Sequence, residues 1–108
     1  MTNDVLRQLA ATIRARRLEG SEISYTNQLL EAGPEKCARK FGEEAIEVVI
    51  AGIAQSPQSL KSEAADVLYH LLVLLEARGV AFDDVLAELE RRSGTSGLAE
   101  KAARAQRG

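Results

Sequence analysis

The chain is poor in most residues that would tie it to a sheet, a membrane or an oxidising compartment. Its 108 residues include two prolines, eight glycines and no tryptophan, and aromatics are only 4%. What remains, rich in Ala, Leu, Glu and Arg, loses little rotamer freedom in helices, so strands are not expected. A single cysteine, Cys37, excludes an internal disulfide, and one cysteine with one histidine supplies no zinc site of the usual kinds. A reducing cytoplasm suits such a chain. The longest apolar run, Val67 to Leu75, is interrupted by His70 and falls far short of the ~20 residues that span a bilayer. The N-terminus has no basic start followed by an apolar stretch, so no signal peptide and no membrane partner are expected. A net charge of -2 argues against a surface built to bind a nucleic-acid backbone.

The length allows one hydrophobic core. Hydrophobic residues at 45% and charged residues at 28% are typical of globular domains and favour neither disorder nor a fibre. No linker, repeat or low-complexity tract divides the sequence, so residues 1–108 read as a single domain with a core over about 4–94 and a tail over 95–108.

The punctuation is helical throughout. Leu6, Leu9, Ala10 and Ile13 share one face of a helix over about 4–17, with Thr2 or Asn3 as candidate cap. Ser24 caps a short helix that Gly33 closes, and Pro34 opens a long one to about residue 54. Ser56 and Pro57 repeat the device for a helix ending at Ala77–Gly79. These two long helices, tightly joined, should pack antiparallel. Phe82 to Gly94 reads as a further helix, with Asp83 and Asp84 at its positive end and Arg91 and Arg92 at its negative end. Thr95 or Ser96 can cap a last short helix. The expected fold class is all-α, one antiparallel helical bundle.

The stretch KFGEEAIEVVIAGI, residues 40–53, places acids inside an apolar helix. At 100° per residue Glu44 and Glu47 lie on one stripe with Lys40 a turn before, and Glu43 sits to the side. Ile46, Val49, Ile50 and Ile53 cover the opposite side, while Phe41, Ala45, Val48 and Ala51 flank the acids. A helix apolar nearly all round is expected to be buried on most sides. On the next helix Glu63 and Asp66 are spaced i, i+3, with His70 one turn on.

Carboxylates near apolar surface lose hydration unless something compensates. Protonation of some acids, basic side chains such as Lys36 and Lys40, or metal ions would each serve. Oxygen-only ligands suit a hard cation such as Mg2+ or Mn2+. One Mg2+ among four carboxylates still leaves negative charge facing a polyphosphate. More than one metal is therefore expected, or metal arriving with substrate, helped by Lys36, Lys40, Lys101 or Arg104.

Other residues have plainer readings beside functional ones. His70 can contact substrate phosphate, but its i, i+4 spacing favours holding Asp66 by a hydrogen bond. Ser24, Tyr25 and Thr26 can meet phosphate or ribose, although a serine before a helix is more often a cap. Cys37, on an inward stripe, is expected to be an inert core residue.

The pattern E-E-x-x-E at Glu43, Glu44 and Glu47, followed by E-x-x-D at Glu63 and Asp66, resembles the MazG-like all-α nucleoside triphosphate pyrophosphatases. The segments SYTNQLLEAGPEKCARKFGEEAIEVVIA, EAADVLYHLLVLLEARGVAFDDVLAELERR and SGLAEKAAR narrow the likeness to the phosphoribosyl-ATP pyrophosphatase family of histidine biosynthesis, over about residues 24–104. Residues 1–20 carry no family signature. The resemblance implies Mg2+-dependent hydrolysis of phosphoribosyl-ATP to phosphoribosyl-AMP and pyrophosphate. It further implies a cytoplasmic homodimer or higher homo-oligomer whose helices complete a shared bundle. By that likeness Glu44, Glu47, Glu63 and Asp66 are metal ligands, and Glu43 is a further ligand or positions water. Lys36, Lys40, His70, Lys101 and Arg104 are the expected substrate contacts.

Three other functions remain to be separated. A house-cleaning pyrophosphatase for noncanonical nucleotides would share the metal constellation. A di-iron carboxylate bundle needs two Glu-x-x-His pairs, which one histidine cannot supply. A non-enzymatic helical interaction module would use the acids only as a solvated face.

Overall fold

The computed structural model describes residues 4–19, 24–93 and 104–105. Among these, five helices follow one another: α1 (Val5–Glu19), α2 (Tyr25–Ala32), α3 (Pro34–Ala54), α4 (Pro57–Ala77) and α5 (Phe82–Ser93). No strand occurs among the described residues, and the all-α expectation holds. The candidate caps Thr2 and Asn3, the closing Gly94 and most of the expected last helix lie outside the described residues. Of that last helix only Arg104 and Ala105 are described, both helical and exposed.

Local chemistry sets the boundaries. Ser24 Oγ accepts a hydrogen bond from the Asn27 main-chain N–H at 3.1 Å and starts α2. Gly33 alone separates α2 from α3, with φ 98° and ψ 170°. That conformation is essentially restricted to glycine, so any side chain here would disturb the corner. Ser56 caps α4 by accepting from the Ser59 N–H at 3.1 Å, with Pro57 in the first turn. The far end of α4 closes with Gly79 at φ 72°, the Val80 N–H bonding Leu75 O at 2.9 Å and the Gly79 N–H bonding Glu76 O at 3.1 Å. This pair of bonds is the Schellman arrangement that satisfies otherwise orphaned carbonyls.

Contacts between α3 and α4 widen outward from their short connection. A Cβ on Gly52 would sit 3.8 Å from Leu60 Cδ1, and farther along Glu44 meets Glu63 and Asp66. The two helices therefore form an antiparallel hairpin. Its open end carries the core: Ile13 of α1, Leu29 of α2, Cys37 of α3, and Leu72 and Val73 of α4 are all buried. Cys37 Sγ donates to the Leu29 carbonyl at 3.2 Å and joins α2 to α3. Burial pushes the thiol pKa up, which fits the inert role expected of it. Arg17 pairs with Glu76 between α1 and α4, and Arg7 Nε reaches Asp83 Oδ1 at 3.0 Å to tie α1 to α5.

One expectation fails within the single chain. Helix α3 was expected to be buried on most sides, yet Ile46, Val49, Ile50 and Ile53 are 60%, 57%, 44% and 82% exposed. Leu60 and Leu68 of α4 are exposed as well. The core gathers at the Cys37 end of the hairpin, where α1 and α2 pack. Toward the connection only Ala51 of α3 is buried.

Candidate functional site

Antiparallel packing brings Glu44 of α3 opposite Glu63 and Asp66, one turn apart on α4. One carboxylate oxygen from each lies within 4.8 Å of the other two. Glu44 and Glu63 are half-buried and Asp66 is exposed. The Glu63 carboxyl has a raised pKa, first because partial burial disfavours its charge and then because Asp66, Glu47 and Glu44 repel it. No lysine or arginine forms an ion pair with these three acids among the described residues. A divalent cation with oxygen preference would offset the crowding, so the donor set fits a hard metal.

The other acids sit at the rim. Glu47 is exposed and outside the oxygen cluster, although its charge still acts on Glu63. Glu43 is exposed and faces Lys40, whose Nζ lies 3.5 Å from Glu43 Oε1. Lys40 has a raised pKa, owing first to Tyr25 and next to Glu43, with a smaller contribution from Glu44. It therefore stands beside the acidic cluster, as its place on the stripe suggested.

His70 makes the expected i, i+4 hydrogen bond to Asp66, through the main chain. It is buried, and its Nδ1 bonds the main-chain carbonyl of Asp66 at 2.9 Å, not the carboxylate. A carbonyl only accepts, so Nδ1 carries the proton and, in the neutral ring, Nε2 accepts from the Tyr25 hydroxyl at 3.1 Å. Both ring nitrogens are thus used within the chain and neither is directed at a ligand. The Tyr69 ring stacks near Tyr25, with centroids 6.4 Å apart, and meets His70 edge-on at 5.0 Å. The Tyr69 hydroxyl bonds that of Thr26.

Tyr25 also borders a cleft of about 320 Å³ between α2 and the first half of α3, lined by Gln28, Leu29, Ala32, Lys36 and Lys40. In sequence the Tyr25 segment reads mainly as a helix cap and Gln28 does not stand out, yet both line this cleft. The i, i+3 spacing of Tyr25 and Gln28 on a helix adjoining Lys36 and Lys40 was the signal available. Lys101 lies outside the described residues, and exposed Arg104 is not among the residues lining the cleft or the carboxylate cluster.

The sequence profile of the phosphoribosyl-ATP pyrophosphohydrolase family matches residues 6–93. The chain belongs to that family. A phosphoribosyl-ATP pyrophosphatase from Rhodobacter capsulatus is 60% identical over 99 residues, covering 92% of this chain and 96% of the relative. One from Ruegeria pomeroyi is 60% identical over 100 residues, covering 93% and 95%. Phosphoribosyl-ATP pyrophosphatase 1 of Rhodopseudomonas palustris is 54% identical over 104 residues, covering 96% and 97%. For this pyrophosphohydrolase family member, the matched span takes in α1 from Leu6 onward and all of α2 to α5, and with them the carboxylate cluster and the cleft.

Proposed function

We propose that this chain hydrolyses phosphoribosyl-ATP to phosphoribosyl-AMP and pyrophosphate, the second step of L-histidine biosynthesis, using Mg2+ held by Glu44, Glu63 and Asp66 with Glu47 alongside. The observation that carries the reading is the three-carboxylate cluster in a chain of this family. Bound Mg2+, or Mn2+ in its place, supplies neutralisation of phosphate charge and a water of lowered pKa.

The protein's own groups have separable tasks. Glu44, Glu63 and Asp66 converge from two rigid helices, so the ligand atoms are positioned before substrate arrives. Glu43, at the rim and hydrogen-bonded to Lys40, orients both that ammonium and a water through its free carboxylate oxygen. Lys36 and Lys40 meet the anionic substrate, and Lys101 and Arg104 complete the basic set proposed to do so. His70 fixes the Tyr25 hydroxyl and the Asp66 backbone rather than touching substrate.

The exposed Ile46, Val49, Ile50 and Ile53, with Leu60 and Leu68, support a homodimer. A second copy covering this face would remove a contiguous apolar surface from water and complete the bundle. A cytoplasmic location accords with the unpaired Cys37, and no helix among the described residues is long and apolar enough to cross a membrane.

Turnover of phosphoribosyl-ATP with and without Mg2+, with products identified, tests the assignment. Phosphoribosyl-AMP and pyrophosphate should form only with the metal present. Preference for a free deoxynucleoside triphosphate over phosphoribosyl-ATP would overturn it.

A further inference from the structure

We infer that the α2/α3 cleft is a subsite for the phosphate-bearing ribose at the far end of phosphoribosyl-ATP, with Lys36 as the residue that distinguishes this substrate from ATP. The inference rests on the proposed substrate and adds which part of it goes where.

The substrate presents two separate anionic ends. One is the triphosphate, which belongs at the carboxylate cluster with its metal. The other is the phosphate monoester of the second ribose, which ATP lacks. The cleft's volume of about 320 Å³ lies at the lower limit of small-molecule sites, so it suits one arm of this substrate and not the whole. Its charged lining consists of Lys36 and Lys40, with no carboxylate among the lining residues.

The two lysines are not equivalent. Lys40 is half-buried and held by Glu43 at 3.5 Å, beside the metal cluster. Lys36 is exposed and forms no ion pair among the described residues, although Arg39 on the same helix pairs with Glu35. Lys36 also sits in the first turn of α3, where the helix dipole favours an anion. Lys36, Lys40 and Glu44 follow at intervals of four residues, about 6 Å per step along the axis. The face therefore runs from a free cation, through a paired one, to the metal ligands over about 12 Å. A substrate lying along it would place its triphosphate at Glu44 and its lone phosphate at Lys36. Between them, the Gln28 amide and the Tyr25 ring edge offer contacts to the ribose hydroxyls. The Tyr25 hydroxyl, already donated to His70, holds that wall in place.

The test uses ribose 5-phosphate as probe and the full-length chain. Its binding is followed by amide NMR shifts in the absence of Mg2+, for wild type, Lys36→Ala, Lys36→Arg and Asp66→Asn. Wild type and Asp66→Asn should bind it with shifts on α2 and the start of α3. Lys36→Ala should weaken it roughly ten-fold or more, the size of losing one hydrogen bond to a charged group, and Lys36→Arg should restore it. In steady-state kinetics Lys36→Ala should raise KM for phosphoribosyl-ATP by a similar factor while kcat stays within about two-fold, as expected for binding shared by ground and transition states. Undiminished ribose 5-phosphate binding by Lys36→Ala, or shifts confined to the carboxylate cluster, would overturn the inference. So would a loss in kcat with KM unchanged. Failure of the wild-type chain to turn over phosphoribosyl-ATP would instead overturn the proposed substrate, while the metal-free binding measurement still decides what the cleft accepts.

Discussion

The two ends of the α3–α4 hairpin are made of similar residues and have opposite surroundings. At one end Cys37, Leu72 and Val73 are sealed by Ile13 and Leu29 from α1 and α2. At the other, Ile46, Val49, Ile50 and Ile53 face outward. The carboxylate cluster lies between them. The contrast teaches that the chain's own helices suffice to fix the Cys37 end and the cleft, whereas at the connection end they leave apolar side chains exposed, the face proposed above to meet a second copy.

The largest effect should come from charging the connection end. Ile50→Asp removes the burial of the 44% of Ile50 exposed in the single chain and puts an unpaired carboxylate in its place, each counted twice across a two-fold axis. Sedimentation should show a dimer for wild type and a monomer for the variant, with helicity retained. A wild type that is monomeric at all concentrations would erase the proposed difference in role between the ends.

Truncating the core at the Cys37 end should act within each chain. Ile13→Ala, at a fully buried position, should cost about 2–5 kcal/mol. Denaturant unfolding should show this cost with the oligomeric state unchanged, because α1 packs on the opposite end from the exposed stripe.

The smallest effect concerns the acids between the ends, and its sign is informative. The folded Glu63 carboxyl titrates above its ordinary range, so between its unfolded and folded pKa values the native state binds more protons. Stability therefore falls as pH rises through that window and stays lowered above it. In EDTA, Glu63→Gln should melt slightly higher than wild type at neutral pH, and the difference should vanish at pH values below the ordinary carboxylate range. Added Mg2+ should raise the melting temperature of wild type more than that of the variant.

Much of this was legible because the chain marks its helix ends with residues whose chemistry acts locally. Gly33–Pro34 and Ser56–Pro57 fix the starts of α3 and α4, and the bounds Pro34–Ala54 and Pro57–Ala77 follow from them. The meeting of Glu44 with Glu63 and Asp66 was legible for the same reason, since a tight connection forces an antiparallel pair. For His70 the i, i+4 partner Asp66 was legible and the accepting atom was not. Spacing of i, i+4 is satisfied equally by the carboxylate of Asp66 and by its carbonyl, and helical side chains lean toward the preceding turn, where that carbonyl lies. Its second partner, Tyr25, is 45 residues away, a contact no local rule contains. The apolar stripe on α3 was visible in sequence, but periodicity reports that a face is apolar and not which surface covers it.

Divalent-ion uptake tests the central claim most directly. Free Mn2+, followed by electron paramagnetic resonance, should be depleted by wild-type protein and left largely in solution by Asp66→Asn and Glu44→Gln, each with a native circular dichroism spectrum. Equal Mn2+ uptake by wild type and both folded variants would contradict the assignment of these carboxylates as the metal site.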